Sequence, residues 1–260
     1  MIQTALKHKR GLIFTLGLIA SGVAYGTWLA PTIDSWFMER SRDAGFVLND
    51  LELDGLVRAN RSDVLAALDV DKGVPLLSIN LENIRTQLEL LPWVKKAEVT
   101  RILPGKLKIQ LTEREPFALW QREGTISLID ESGHVITSHG LKNYAHLMLV
   151  VGTGAEQGAH DLYALLDQYP ELSARVKTAV RVSDRRWDLV FDNGVRVKLP
   201  EGAPAPYDAQ TAWQKFAELQ TQYRLLEREV SVIDMRLPDR MIMRVSPDGH
   251  RLMDGTGWAT

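Results

Sequence analysis

Residues that often perform catalysis are present in this chain, but their spacing matches no catalytic or metal-binding motif. The histidines lie at positions 8, 134, 139, 146, 160 and 250. None pairs with another at the i,i+4 spacing that puts two metal ligands on one helix face. The sequence contains neither G-x-S-x-G nor S-x-x-K around a serine, and it contains no cysteine. The residues therefore give no support for catalysis or for a bound metal, and an enzyme stays open as an alternative at this point.

A glycine-rich turn comes nearest to a cofactor site. Gly152, Gly154 and Gly158 follow a predicted strand and precede a predicted helix, as glycines do in nucleotide-binding turns. The spacing here is G-x-G-x-x-x-G, whereas the dinucleotide fingerprint is G-x-G-x-x-G within a β-α-β unit. The pattern is more typical of a turn that leads into a helix, so no cofactor is predicted.

The most informative side chains lie near the C-terminus. Arg236, Arg240 and Arg244 are separated by even numbers of residues and would share one face of an extended strand. The other face would carry Met235, Leu237, Met241, Met243 and Val245. Pro238 interrupts the run, so the segment is either a bent strand or a hairpin, and proline favours a sheet edge. Two interpretations stay open: an ordinary last strand with solvated arginines, or an exposed edge that accepts another chain's strand.

The elements that position these residues begin with a predicted membrane helix. Residues 11–30 form an uncharged stretch that, as an α-helix, would span about 30 Å, the thickness of a bilayer's hydrocarbon core. Lys7, Lys9 and Arg10 precede it, so the N-terminus is expected in the cytoplasm and the rest outside it. A cleaved signal peptide and a buried core helix are the alternatives. The length of the stretch argues against the first, and its lack of charge argues against the second.

Hydrophobic periodicity predicts an α+β fold outside the cytoplasm. Elements follow the order β-α-α-β-β up to Glu113-Arg114-Glu115-Pro116, and short strands with turns such as Asn193-Gly194 follow. The second part is predicted to be a mostly antiparallel β domain with two helices. The predicted domains are a cytoplasmic tail (1–10), a transmembrane helix (11–30), a linker (31–44), the β-α-α-β-β domain (45–115), the β domain (116–245) and a flexible tail (246–260). The net charge of −2 gives no reason to expect nucleic-acid binding.

Several short motifs, in this order, resemble those of the FtsQ/DivIB family of bacterial division proteins. They are L-E-L-D-G at 51–55, G-V-P-L-L at 73–77, L-P-W-V at 91–94, R-I-L-P at 101–104, E-R-E-P-F-A-L-W at 113–120 and I-D-E-S-G at 129–133. Each motif alone is weak, but together they extend from the predicted anchor to Val245. The resemblance implies that residues 45–115 are a POTRA domain and that the chain is a single-pass type II protein of the bacterial inner membrane.

The resemblance also implies an essential function in cell division without catalysis. Family members are scaffolds of the divisome at the septum, where they bind FtsB and FtsL in the periplasm and link early division proteins to late ones. FtsK, FtsW and FtsI are further partners that it implies, and FtsB adds a strand to the last strand of the β domain. Transferred to this sequence, the FtsB contacts are Arg236, Leu237 and the residues from Pro238 to Val245, among them Arg240, Met241, Met243 and Val245, with Arg185 or Arg186 from a neighbouring strand.

Two other classes of protein remain as alternatives. One is a membrane-anchored periplasmic enzyme that acts on the cell wall, which would need a catalytic constellation in a deep pocket. The other is a different POTRA-containing protein, a factor of transport or assembly. Capture of FtsB and FtsL would distinguish the predicted scaffold from both.

Overall fold

The computed structural model describes residues 40, 42, 45–202 and 206–247. The predicted membrane helix at 11–30 and the N-terminal tail lie outside these residues, as does most of the predicted C-terminal tail. In the part of the chain that is described, no helix has the length and apolar character needed to cross a bilayer. The chain divides between Glu113 and Arg114 into two compact units.

The first unit has the predicted order β-α-α-β-β. Its elements are β1 (Asp50–Asp54), α1 (Arg61–Leu68), α2 (Leu81–Glu89), β2 (Val94–Ile102) and β3 (Lys106–Glu113), with a 3-10 turn at Leu76–Ser78. β3 is the central strand, because β1 pairs with it in parallel and β2 pairs with it antiparallel. Before β1, Val47 makes only a single bridge to Pro75.

One sheet face and one side of each helix form the core of the first unit. The buried side chains include Val64, Leu68, Ile84, Leu88, Leu107, Ile109 and Leu111. The Asn80 side chain caps α2 by accepting a hydrogen bond from the Asn83 amide. The Asn60 side chain caps α1 by accepting a hydrogen bond from the Ser62 amide.

Two residues of the sequence motifs hold the segment after β1 against the end of β3. Gly55 has a φ of +84°, and a Cβ atom there would lie 1.9 Å from the Leu111 carbonyl oxygen. The Glu113 carboxylate accepts hydrogen bonds of 2.8–2.9 Å from the amides of residues 57–59. Burial works to raise the pKa of Glu113, but the three amides outweigh it and hold that pKa below its usual value.

Replacing Glu113 by Ala is expected to destabilise the first unit by about 1.5–3 kcal/mol at neutral pH, because three amides lose a charged acceptor. The folded pKa is lowered, so the carboxylate stabilises the fold above the pKa of the unfolded chain, about 4.3. That contribution disappears as the pH falls through the lower, folded pKa. Urea unfolding of both proteins over a series of pH values measures the difference.

The matched control for this variant is Glu98→Ala, which removes an exposed carboxylate from the same sheet. Because its ion pair with Lys96 is on the surface and screened by water, the expected loss is much smaller than that of Glu113→Ala. Equal losses in the two variants would contradict the role assigned to Glu113.

The second unit is built on one mixed sheet of nine strands. In chain order its elements are β4 (Ala118–Arg122), β5 (Thr125–Ile129), β6 (Val135–Thr137), β7 (Leu149–Val151), α3 (Ala155–Leu166), α4 (Pro170–Ser173), β8 (Val176–Val182), β9 (Arg186–Phe191), β10 (Arg196–Glu201), α5 (Ala209–Tyr223), β11 (Val230–Asp234) and β12 (Ile242–Val245). The strands lie in the order β12-β11-β10-β9-β8-β7-β4-β5-β6. Five of the eight neighbouring pairs are antiparallel, so the sheet is mostly antiparallel.

Two of the three parallel pairs account for the helices of this unit. α3 and α4 connect β7 to β8, and α5 connects β10 to β11, because parallel neighbours need a crossover. The prediction of two helices is therefore incomplete: α4 is an additional helix, and Leu141–Tyr144 and Leu225–Glu227 form 3-10 turns. Pro170 begins α4 as a separate helix because proline is favoured at the first helical position but not in the interior.

The core of the second unit lies between the long helices and one face of the sheet. Its buried side chains include Leu162 and Leu166 of α3, Trp213 and Phe216 of α5, and Trp187, Leu189 and Phe191 of β9. The residues that alternate with the last three, Asp188 and Val190, lie on the opposite face of β9. Asn193-Gly194 forms the predicted hairpin turn between β9 and β10, with a φ of +84° at Gly194.

Candidate functional site

The C-terminal strand β12 forms one edge of the nine-stranded sheet. It pairs antiparallel with β11, with Ile233 opposite Met243. Ser246, directly after the strand, donates its amide to the Glu229 carbonyl beside β11. Because amides alternate along an extended strand, those of Met243 and Val245 point away from β11. Among the described residues no strand pairs with this outer side, so β12 offers unpaired main-chain groups.

Apolar side chains surround this open edge. Leu237, Ile242 and Met243 are 41%, 51% and 42% exposed, although large apolar side chains are usually buried. Met241 is half-buried and packs on the core. A strand from another chain that paired with β12 would remove these apolar groups from water. The geometry therefore fits strand addition.

A loop of residues 235–241 connects β11 to β12 and is fixed at two points. The Met235 amide donates to the Lys198 carbonyl at 2.9 Å, and the Met235 side chain is buried. Lys215 on α5 donates to the Pro238 carbonyl at 3.0 Å. Leu237 is exposed, so Met235 and Leu237 do not share the face that the sequence predicts for them.

The prediction that three arginines share one strand face is wrong. Only Arg244 lies on β12, whereas Arg236 and Arg240 lie in the loop. Pro238 has no amide to donate to a ladder, so the regular strand stops before it and resumes only after it. The chain thus forms a hairpin, which is the alternative to the bent strand, and the two loop arginines stand beside the end of the edge.

Asp234 holds the Arg236 side chain in place. Its carboxylate accepts hydrogen bonds from Nε and Nη2 of Arg236 at 2.8 and 2.6 Å, and from the Arg236 amide at 3.1 Å. The guanidinium lowers the pKa of Asp234. Asp234, with a contribution from the buried Asp188, raises the pKa of Arg236 against the effect of burial. Arg236 is thus charged and pre-ordered while its side chain remains 43% exposed.

The two arginines at the start of β9 differ in their surroundings. Arg185 has Nε 3.2 Å from a Glu201 oxygen, and both side chains are more than half exposed. Arg186 is largely buried, with Nε 3.7 Å from Asp188, a carboxylate that is 4% exposed. Asp188 lies in one cross-sheet row with Asp234, two strands away. Since β9 is antiparallel to β10 and β10 parallel to β11, both arginines lie at the same end of the sheet as the 235–241 loop.

The structure therefore brings the predicted residues to one end of the second unit. Those on the edge strand and its loop are Arg236, Leu237, Arg240, Met241, Met243 and Val245. Ile242, which lies in the range from Pro238 to Val245, belongs with them. So do two residues that sequence reasoning missed, Asp234 and Lys215. Asp234 is two residues before Arg236, a spacing that does indicate a local ion pair.

The rival enzymatic function would need catalytic side chains that converge in a cleft. A cleft of about 680 Å³ beside α3 contains the pair His160–Glu131, with 3.1 Å between Nδ1 and the carboxylate, and one serine, Ser173. The Ser173 hydroxyl donates to the Tyr169 carbonyl at 2.9 Å, which ties it to the helix end. Within the described ranges, no three histidine, aspartate or glutamate side chains are placed to hold a metal ion.

The glycine-rich turn before α3 has a packing function. A Cβ atom at Gly154 would lie 1.9 Å from Oδ1 of Asp184, and one at Gly152 would lie 2.8 Å from the Arg181 carbonyl oxygen. Gly158 similarly lies against the Arg181 guanidinium, where a Cβ would be 3.1 Å away. The three glycines let the end of β8 and the turn after it approach the start of α3, which explains why glycine occupies these positions.

The fold and the open edge define a POTRA-containing protein with a C-terminal β domain. The first unit matches the family model described as "POTRA domain, FtsQ-type" over residues 46–114. The second unit matches "Cell division protein FtsQ/DivIB, C-terminal" over residues 118–236, a range that stops before β12.

Similar full-length proteins identify the family. The chain is 36% identical to the cell division protein FtsQ of Rhizobium meliloti (strain 1021) over 231 residues, which are 89% of this chain and 73% of that protein. It is 35% identical to FtsQ of Bradyrhizobium diazoefficiens over 258 residues, 96% of this chain and 74% of the relative. FtsQ of Novosphingobium aromaticivorans is 34% identical over 250 residues, with coverage of 96% and 74%. The chain belongs to the FtsQ/DivIB family of cell division proteins.

Proposed function

We propose that this family member is an essential, non-catalytic scaffold of the divisome. It binds FtsB and FtsL in the periplasm and links early division proteins to late ones during septum assembly. The observation that supports this most directly is the open edge strand β12 with the exposed Leu237, Ile242 and Met243 beside it. FtsB is the proposed occupant of that edge.

Strand addition would use the main chain of β12 for affinity. The outward amides of Met243 and Val245 donate to carbonyl groups of the incoming strand, and the outward carbonyl oxygens accept in return. Apolar side chains of the partner cover Leu237, Ile242 and Met243, which removes exposed apolar surface from water. The main chain supplies binding that depends little on sequence, and the side chains supply specificity.

Arginines beside the edge would select a partner with carboxylates. Arg236 is already charged and ordered, so it loses little conformational freedom when it binds an acidic side chain of FtsB. Arg185 is the proposed second contact, because its surface ion pair with Glu201 is weak and is readily exchanged. Arg186 instead neutralises a buried carboxylate, and Arg240, 65% exposed in the loop, is free to turn toward the partner.

The membrane anchor and the cellular location complete the proposal. Residues 11–30 anchor the chain in the inner membrane as a single helix with a cytoplasmic N-terminus. The domains at 45–115 and 116–245 then lie in the periplasm, and the protein is concentrated at the division septum. FtsK, FtsW and FtsI are further proposed partners, whereas nucleic acid and cofactors have no part in the function.

Capture of partners from detergent-solubilised membranes tests the proposed function against its two rivals. The tagged full chain is expected to retain FtsB and FtsL, and an unrelated single-pass membrane protein used as bait is not. Equal recovery with both baits would overturn the scaffold function. A cell-wall hydrolysis assay on the same material tests the enzymatic alternative.

Replacing Arg236 by Glu is expected to weaken binding of a peptide from the periplasmic part of FtsB by about 1–2 kcal/mol, or roughly 5–30-fold. The effect is moderate because the side chain is 43% exposed and water screens the interaction. Isothermal titration with the peptide measures it. Arg122→Glu makes the same charge change on β4, six strands from β12, and is expected to leave the affinity unchanged. An equally large loss of affinity in the Arg122→Glu variant would show that the effect comes from the change in net charge alone.

A further inference from the structure

A second exposed apolar feature lies in the first unit, at the turn between β2 and β3. Ile102 is 41% exposed and Leu103 is 58% exposed, and Pro104-Gly105 completes the turn. Exposed turns are usually built from glycine and polar residues. The exposure of two adjacent large apolar side chains to water at the tip of a hairpin is therefore unfavourable.

The chain enters the first unit beside this turn. The Asn49 amide donates to the Gly105 carbonyl at 2.8 Å. Gly105 has no room for a side chain, because a Cβ atom would lie 2.6 Å from the Val47 carbonyl oxygen. The Leu48 amide donates to the Val74 carbonyl at 2.9 Å, which fixes the same entering segment to the loop before the 3-10 turn. The segment that arrives from the N-terminal side is thus bound to the turn itself.

The opposite end of the same sheet points away from the entry. β1 runs parallel to β3, from Asp50 opposite Lys106 to Asp54 opposite Gln110. Its direction is therefore away from the turn between β2 and β3. The eight residues of β3 place Glu113 about 25 Å from the turn. Leu90 follows α2, near the start of β2, whose first residue, Val94, pairs with Glu113. Leu90 is 70% exposed, so the two ends carry comparable apolar side chains but differ in their distance from the entering chain.

We propose that the turn at residues 102–104 lies on the outer surface of the inner membrane, with the Ile102 and Leu103 side chains in the lipid interface. This inference rests on the proposed anchor at 11–30. The chain between residue 30 and Phe46 spans at most about 55 Å when extended, and it leads directly to the turn. Anchoring gives the turn a high effective concentration at the surface, so two apolar side chains suffice for a contact that would be weak between separate molecules.

Charges near the entry favour the same occupant. Arg42 is exposed in the segment between the predicted anchor and the first unit. Lys72, exposed beside Asp71, precedes Gly73, whose amide donates to the Leu48 carbonyl. Basic side chains next to a bilayer interact favourably with anionic headgroups, and apolar side chains at a turn enter the region below them. A lipid surface would interact favourably with both the basic side chains and the apolar side chains of the turn.

Depth measurement with spin labels tests the proposal, and the absence of cysteine from the sequence makes labelling specific. The full chain is reconstituted in nanodiscs of phosphatidylcholine and phosphatidylglycerol as Leu103→Cys and, as the matched control, Leu90→Cys. The label at position 103 is expected to be accessible to oxygen and protected from a water-soluble nickel chelate. The label at position 90 is expected to show the reverse. Equal exposure of both labels to the nickel chelate would overturn the proposal.

Two further measurements separate lipid contact from other causes of protection. A label at Ile102→Cys is expected to lose its protection when Leu103→Asp is added, while circular dichroism stays unchanged. Protection that appears only after FtsB and FtsL are added would assign the turn to a protein partner and overturn the lipid contact. Failure of the chain to float with vesicles would refute the anchor and this inference together. Unchanged titration of the FtsB peptide with Leu103→Asp shows that the test is independent of strand addition.

Discussion

A proline in place of Met243 is expected to lower the affinity for an FtsB peptide by about 3 kcal/mol, roughly a hundredfold, without unfolding the second unit. The Met243 amide points away from β11, so proline removes a donor that only the incoming strand uses. A carbonyl of the partner then loses its hydrogen bond, and the pyrrolidine ring occupies the space beside the edge. Titration with the peptide measures the loss.

Met243→Ala separates the main-chain effect from the side-chain effect. Alanine keeps the amide and removes the 42% exposed thioether side chain, so the expected loss is much smaller than that of the proline variant. Thermal unfolding of both variants checks that the second unit remains folded. Equal affinities for the proline and wild-type proteins would exclude pairing of the partner with the outer side of β12.

Replacing Asp130 by Ala is expected to destabilise the second unit by about 3–5 kcal/mol, because it leaves a buried arginine without its partner. Oδ2 of Asp130 is 2.6 Å from Nη1 of Arg114, and the two side chains are only 6% and 15% exposed. The other oxygen accepts hydrogen bonds of 2.9 Å from the amides of Ser132 and His134. The loss should be measurable as a lower urea midpoint.

Two comparisons make this prediction specific. Asp192→Ala breaks a half-exposed ion pair with Arg175 and is expected to cost less than about 1 kcal/mol. Burial works to raise the pKa of Asp130, but Arg114 and the His134 amide outweigh it and lower that pKa. The advantage of the wild-type protein is therefore complete above the ordinary aspartate pKa, about 3.9, and is lost as the pH falls through the folded value. A loss independent of pH would contradict the ion pair.

Several residues of the sequence motifs make contacts that hold the fold together, and these contacts are local or steric in origin. Gly55 is fixed by its approach to Leu111, Glu113 by three amides, and Arg114 and Asp130 by each other. The order of elements in the first unit followed from periodicity because each element buries one regular face. None of these motifs by itself predicts which edge of the second sheet is open, because the strand order depends on the whole fold.

The sequence indicated where the edge strand lies in the chain, but not its detailed form. The prediction from the even spacing of the arginines assumed an unbroken strand. Pro238 interrupts that strand, so Arg236 and Arg240 lie in a loop instead. The anchor of that loop, Lys215 bound to the Pro238 carbonyl, joins residues 23 positions apart and leaves no local pattern. The parallel pairs β7–β8 and β10–β11 arise from helical crossovers, which the short strands alone did not reveal.

Amide hydrogen exchange of β12, with and without the FtsB peptide, tests the central claim most directly. In the free protein the inward amides of Ile242 and Arg244 are expected to be protected by β11, while those of Met243 and Val245 exchange rapidly. With the peptide bound at saturation, Met243 and Val245 should become protected as well. Binding at saturation with rapid exchange of both outward amides would contradict strand addition at this edge.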